Sequence, residues 1–180
     1  SDAEGLHPKR SPETTGRPTP IWSPGKTKRT TVHLFSGNVD TLLQVGRLDQ
    51  LDAQLGATVA DMVGPQEARW VDDTCIDREH FRFFFTKGVR SLNWGMTQGV
   101  GLALRHHPIS SLTALGYVGP RILRARFYGQ GKYRSVIVAY APPNTEDRSD
   151  QERDQFYLDI APKYADCSDM DGRIILGDFN

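Results

Sequence analysis

The sequence predicts an α/β layered domain whose strands are mostly antiparallel. Three observations carry this. Short runs rich in β-branched and aromatic residues recur from Thr31 to the last residue, Asn180. Two segments, one around Leu51 and one from Asp150, repeat apolar residues at helical spacing. No gap between the middle strands holds an obvious helix, which favours antiparallel neighbours over crossovers.

Residues 1–30 hold five prolines and only three large apolar side chains, Leu6, Ile21 and Trp22. They cannot bury enough surface to offset backbone ordering, so a disordered leader is expected there. Lys26, Lys28 and Arg29 fit either a solvated linker or part of a nuclear localisation signal. The ordered domain is expected over 31–180, as the N-terminal portion of a larger domain, because the chain stops inside a patterned segment.

TVHLFSG, from Thr31, reads as the first strand. Leu48, Leu51 and Leu55 then mark a helix that Gly56 can end. Strands are expected at 59–66, 81–86, 99–105, 121–127 and 133–140, with a turn at Tyr128–Lys132. Phe156, Ile160 and Tyr164 place a second helix from about Asp150, with Pro162 expected to kink it or end it early. Arg173-Ile-Ile-Leu-Gly-Asp178 is the last strand. The order is β-α-β-β-β-β-β-α-β, unlike a Rossmann unit.

The charges balance, 22 basic against 22 acidic, which argues mildly against a freely nucleic-acid-binding domain. Their distribution is uneven. No acid lies between His80 and Thr145, but Arg82, Lys87, Arg90, Arg105, Arg121, Arg124, Arg126, Lys132 and Arg134 do. Ten acids against four bases follow from Glu146 to Asp178. The basic stretch suits a field for phosphates or solvated strand edges, and both readings stand. Cys75 and Cys167 are too few for a disulfide framework or a zinc site. The apolar runs are far shorter than a membrane span, and nothing points to an obligate protein partner.

Polar residues gather at strand ends. Asn38 and Asp40 follow the first strand, Glu67 the second, and Asp178 and Asn180 the last. Tyr140 ends a fourth, with Pro142 and Pro143 behind it. If the backbone stays extended at these ends, residues i and i+2 point to the same side. Carboxylates at three strand ends suit Mg²⁺, which takes one or two carboxylates plus waters and phosphate oxygens. Asp178 is the candidate base for a water attacking a phosphodiester. Glu67 and Asp40 are the candidate metal ligands. Tyr140, Asn38 and Asn180 are candidate donors to phosphate and water.

This set resembles the endonuclease/exonuclease/phosphatase superfamily. The matching segments are GNVD (37–40), MVGPQEARW (62–70), VAYAPPN (138–144) and ILGDFN (175–180). Within it, NVDTLLQVGRLD, QEARW and YAPPNTEDRSDQERDQFY are most similar to LINE-type retrotransposon endonucleases and craniofacial development protein 2-like proteins. The resemblance implies a four-layer α/β sandwich of two mixed, largely antiparallel sheets flanked by helices, here incomplete. It implies Mg²⁺-dependent phosphodiester cleavage, with Mn²⁺ as an alternative, and nucleic acid as partner, DNA before RNA. It assigns Asn38 to the site floor, Asp40 and Glu67 to the metal, Tyr140 to the phosphate, and Asp178 and Asn180 to the water. Arg121 and Asn144 are candidate substrate contacts. The chain departs from the family pattern at Gly37, at Pro65 and at Pro143, where the family has Asn one place before Asn144. It also contains no closing Asp-His pair. Two rival readings are a phosphatase of phosphoinositides or small phosphate esters, and a non-catalytic remnant.

Overall fold

The computed structural model describes residues 31–93, 95–144, 150–167 and 172–180. The expectations for 1–30 lie outside them. Strands β1 (Leu34–Asn38), β2 (Met62–Gln66), β3 (Thr74–Asp77), β4 (Phe81–Phe85), β5 (Val89–Ser91), β6 (Gly95–Thr97), β7 (Gly101–Arg105), β8 (Leu112–Gly119), β9 (Ile122–Gly129), β10 (Lys132–Tyr140) and β11 (Gly172–Asp178) are joined by two helices, α1 (Arg47–Gly56) and α2 (Asp150–Ala165). One sheet runs β1-β2-β7-β4-β3 and the other β11-β10-β9-β8, while β5 and β6 form a separate hairpin.

Each sheet has one parallel pair, β1 with β2 and β10 with β11, and is otherwise antiparallel. The physical reason is the connection. A helix crosses between the members of each parallel pair, α1 in the first and α2 in the second, whereas β9 and β10 are joined by a tight turn. The expected antiparallel middle is therefore correct, and two crossover units flank it.

Burial alternation sets the layers. Phe81, Phe83 and Phe85 point toward α1 and pack with Leu48, Val63 and Ala103, while Phe84 points the other way. Between the sheets, Phe84 meets Leu102, Leu104, Leu123, Val136 and Val138. On the far side, Ile137 and Ala139 pack beneath Phe156 and Ile160 of α2. The order is thus helix, sheet, sheet, helix, the four layers the resemblance implies. Gly64 lets the sheets approach, because a Cβ there would lie 3.0 Å from Val138 Cγ1 and 3.1 Å from Leu176 Cβ.

Four strands and one helix end differ from expectation. β3, β5 and β6 are only three or four residues long, too short for an alternation signal. β8 is an edge strand with no buried residue and two glycines, so its pattern is weak. Pro162 neither ends α2 early nor stops it before Ala165. The carbonyl it leaves without an N–H partner belongs to Leu158, which is exposed, so water can take it. Pro65 sits inside a sheet because the β2–β7 ladder is interrupted there. Pairing holds at Met62 and Val63 and resumes only as a bridge from Gln66 to Val100. No helix among the described residues is long and apolar enough to cross a membrane.

Candidate active site

The parallel pairs position the site. Both carboxyl ends of a parallel pair lie at the same edge, so Asn38 stands beside Gln66, and Tyr140 beside Asp178. Packing of the sheets brings the two pairs together. Crevices at the carboxyl ends of parallel strands are where α/β sheets commonly take ligands.

Past the strand ends the chain is not extended. Asp40 has φ 42°, Glu67 φ 55° and Asn180 φ 39°. The expected same-side presentation of i and i+2 is replaced by Asx turns. The Asp40 N–H donates to Asn38 Oδ1 at 2.9 Å, and the Asn180 N–H donates to Asp178 Oδ1 at 3.1 Å. The Asn38 amide and the Asp178 carboxylate are thereby held by the backbone itself.

Seven non-glycine residues among the described ones have positive φ; five of them (Asp40, Thr41, Glu67, Arg69 and Asn180) lie past these ends, and a sixth, Gln98, lies in the turn that Arg69 hydrogen-bonds. Such conformations cost on the order of 1–3 kcal/mol each and persist only when the surroundings over-determine them. Here the turns are zipped together. Thr41 and Leu42 donate to the carbonyls of Glu67 and Ala68 at 2.9 and 3.1 Å, and Arg69 and Ala68 donate to those of Gln98 and Gly99 at 2.8 and 2.9 Å.

Glu67 is the hub. Its Oε1 accepts from Asn38 Nδ2 and from the Tyr140 hydroxyl, each at 2.7 Å, so both sheets meet on one oxygen. Its Oε2 accepts from Arg69 Nη2 at 2.7 Å. Arg69 Nη2 also lies 3.0 Å from Asp40 Oδ1. Burial pushes the Glu67 carboxyl up, but the hydrogen bonds from Tyr140, Arg69 and Asn38, with the Arg69 charge, outweigh it and hold the group below the usual carboxylate range. Burial, the bond to Glu67 and the charges of Glu67 and Asp178 push the Tyr140 phenol up to about 12, against a smaller opposing pull from Arg121. Tyr140 is therefore a fixed donor and Glu67 a fixed anion at neutral pH.

Glu67, Arg69, Thr97, Gln98, Arg121, Tyr140 and Pro143 line a cleft of about 310 Å³. Arg121 is buried at its wall. Its Nη1 donates to the Tyr140 carbonyl at 3.2 Å, its Nη2 meets Glu152 Oε1 at 3.0 Å, and its guanidinium lies 5.2 Å from the Tyr140 ring centre. It braces Tyr140 as well as facing the cleft. Asn180 Nδ2 donates to the Ala141 carbonyl at 3.1 Å, which ties the end of β11 to the end of β10.

Gly177 explains how Asp178 is placed. A Cβ at Gly177 would come within 2.1 Å of the Ala139 carbonyl oxygen, so only glycine lets β11 lie this close to β10 beside Tyr140. Asn144 stays apart from the group. It is exposed and its side-chain Oδ1 accepts from Arg153 Nη1. Arg69 is the site residue that sequence reasoning missed. The only signal was its place two residues after Glu67, which in extended backbone would have set it beside that carboxylate.

Among the described residues, no three His, Cys, Asp or Glu side chains are grouped to hold a cation. Glu67 and Asp40, joined through Arg69, are two carboxylates placed to share an ion. A Mg²⁺ ion asks for one or two protein carboxylates, with waters and phosphate supplying the rest. The donor set fits that demand.

No protein-family model and no curated protein matches the chain. Solved structures do. A D. rerio TDP2 humanised by 14 mutations matches at 19% identity and a TM-score of 0.54, over 82% of this chain and 65% of that one. D. rerio TDP2 complexed with a single-strand DNA product matches at 17% and 0.54, over 82% and 60%. An endonuclease/exonuclease/phosphatase family protein from Leptotrichia buccalis C-1013-b matches at 15% and 0.51, over 83% and 67%. The chain thus spans less than two thirds of the length of the two TDP2 chains. With two packed mixed sheets, a crossover helix on each outer face and strand ends meeting at Glu67, the chain has the fold of the endonuclease/exonuclease/phosphatase superfamily.

Proposed function

We propose that this chain carries the site of a metal-dependent phosphodiesterase acting on DNA. One observation bears most of the weight. Glu67 is an anion held by donors from both sheets, Asn38 and Tyr140, at the rim of an open cleft. A carboxylate so rigidly oriented and kept ionised is suited to hold a cation against a phosphate. The complex of TDP2 with a DNA product, in the same fold, supports nucleic acid as the substrate class.

In this reading Glu67, with Asp40, would hold Mg²⁺ or Mn²⁺. The bound ion would polarise the phosphoryl oxygens and neutralise charge that develops on them. Tyr140 stays protonated and donates. Asp178, beside it on β11, accepts the proton of the attacking water, and Asn180 and Asn38 orient the groups around it. Arg121 braces Tyr140 from behind. The similarity of NVDTLLQVGRLD and QEARW to LINE-type endonucleases supports a retrotransposon-derived origin for the domain.

Nicking of supercoiled plasmid with Mg²⁺ tests the reading. Activity is expected to be weak. Asp178→Ala should lower it by ~10²–10⁴, the usual worth of one acid–base partner, and Glu67→Gln should lower it by weakening the hold on the ion. Robust nicking that survives Asp178→Ala would refute the assignment. A parallel assay on inositol phosphates separates the phosphatase reading from the nuclease one.

A further inference from the structure

The two oxygens of Glu67 have different duties. Oε1 already accepts two hydrogen bonds, from Asn38 and Tyr140, and both are short. A cation at this carboxylate must therefore use Oε2. That oxygen is taken by Arg69 Nη2 at 2.7 Å, and the same nitrogen lies 3.0 Å from the exposed Asp40 carboxylate. One guanidinium nitrogen thus stands between the two acids that would hold a metal.

Arg69 is held tightly at its backbone and by one nitrogen at its tip. Its N–H donates to the Gln98 carbonyl at 2.8 Å, and a Cβ on Gly99 would meet its nitrogen at 2.9 Å, so the main chain has no room to move. The side chain is 29% exposed. Its buried Nε has no hydrogen-bond partner, so the guanidinium is not locked by a full set of bonds. A long side chain with one gripping nitrogen can swing into the cleft without disturbing the turn.

We infer that Arg69 is the resident cation of the site: it bridges Asp40 and Glu67 and competes with a divalent ion for Glu67 Oε2. This rests on the reading of Glu67 as a metal ligand. Its consequence is a weak metal affinity set by Arg69, since the ion must first displace a charge-assisted hydrogen bond. Arg69 is here a positioning residue that keeps two carboxylates together while no metal is bound.

Calorimetric titration of the 180-residue chain with Mn²⁺ tests this. Arg69→Gln should bind Mn²⁺ about tenfold more tightly than wild type, as expected for losing roughly one competing charge-assisted bond. Arg69→Lys keeps the charge and should stay within about threefold of wild type, because a lysine ammonium still opposes the ion. The fluorescence of the neighbouring Trp70 should report the same midpoints. Arg69→Gln binding no tighter than wild type, with an unchanged melting curve, would overturn the inference. In wild type, the Arg69 Nε–H resonance should shift as Mg²⁺ is added, with the midpoint of the heat. A resonance that stays put while Mg²⁺ binds would also overturn it, even if Arg69→Gln failed to fold. Glu67→Gln serves as the separate control. Mn²⁺ binding that survives Glu67→Gln, or no Mn²⁺ binding in wild type and Arg69→Gln alike, would end the metal-site reading itself.

Discussion

Replacing Tyr140 with phenylalanine removes a single oxygen from the centre of the site. The ring is buried, 7% exposed, and stays in place, so no cavity term enters. What is lost is a 2.7 Å bond to an ionised carboxylate. Hydrogen bonds to charged groups contribute roughly 1.5–3 kcal/mol. The phenol gives a second handle. Its rise from 10.0 to about 12 corresponds to an energy on the order of 2–3 kcal/mol. Burial is the largest cause of that rise, so only part belongs to Glu67. The two arguments meet at about 1–2 kcal/mol for the pair, within the usual range of couplings between neighbours. A double-mutant cycle of Tyr140→Phe and Glu67→Gln, read by urea unfolding at neutral pH, should return a coupling of that size. Burial also pushes the Tyr117 phenol up, so alkaline difference absorbance should show late titration among the six tyrosines, and Tyr140→Phe should remove the part of it near 12. A coupling below about 0.5 kcal/mol, within the error of additivity, would refute the claim that this bond joins the two sheets.

Other outcomes follow from the same geometry. Gly177→Ala must push β11 away from the Ala139 carbonyl, 2.1 Å from the new Cβ. We expect about 1–3 kcal/mol of destabilisation, as for other forced overpacking, and lower activity because Asp178 moves with the strand. A thermal melt unchanged from wild type would contradict the close approach. For pH, folding holds Glu67 below its ordinary 4.5, so the stability it contributes is complete above pH 4.5 and is lost as pH falls through the folded value. Urea unfolding of wild type and Glu67→Gln should show a gap that is constant near neutrality and closes in acid. A gap that is the same at about pH 3 as at neutrality would mean Glu67 is not held ionised by its donors.

The parts of this protein that are local in the chain were legible as amino acids. The apolar spacing of Leu48, Leu51 and Leu55 marks α1, because a helix face repeats within one or two turns. The doubly buried run Phe81–Phe85 marks β4. Asn38, Glu67, Tyr140 and Asp178 stand out as polar residues where apolar strands stop, and that too is a property of neighbours in sequence. The short strands β3, β5 and β6 were not legible, since three or four residues carry no periodicity, and Pro162 misled because its effect depends on the exposure of Leu158.

What joins these pieces is decided only in three dimensions. Asn38 and Glu67 are 29 residues apart, Glu67 and Tyr140 are 73 apart, and no local rule pairs them. They meet because α1 and α2 each force a parallel pair and the packed sheets then bring those pairs edge to edge. The same folding put Asp40 and Asn180 into positive-φ turns, so the extended geometry expected to aim their side chains does not exist. Arg69 is the clearest case. In the chain it is one arginine among many, but packing sets its guanidinium between two carboxylates, because electrostatic partners are chosen by distance in space.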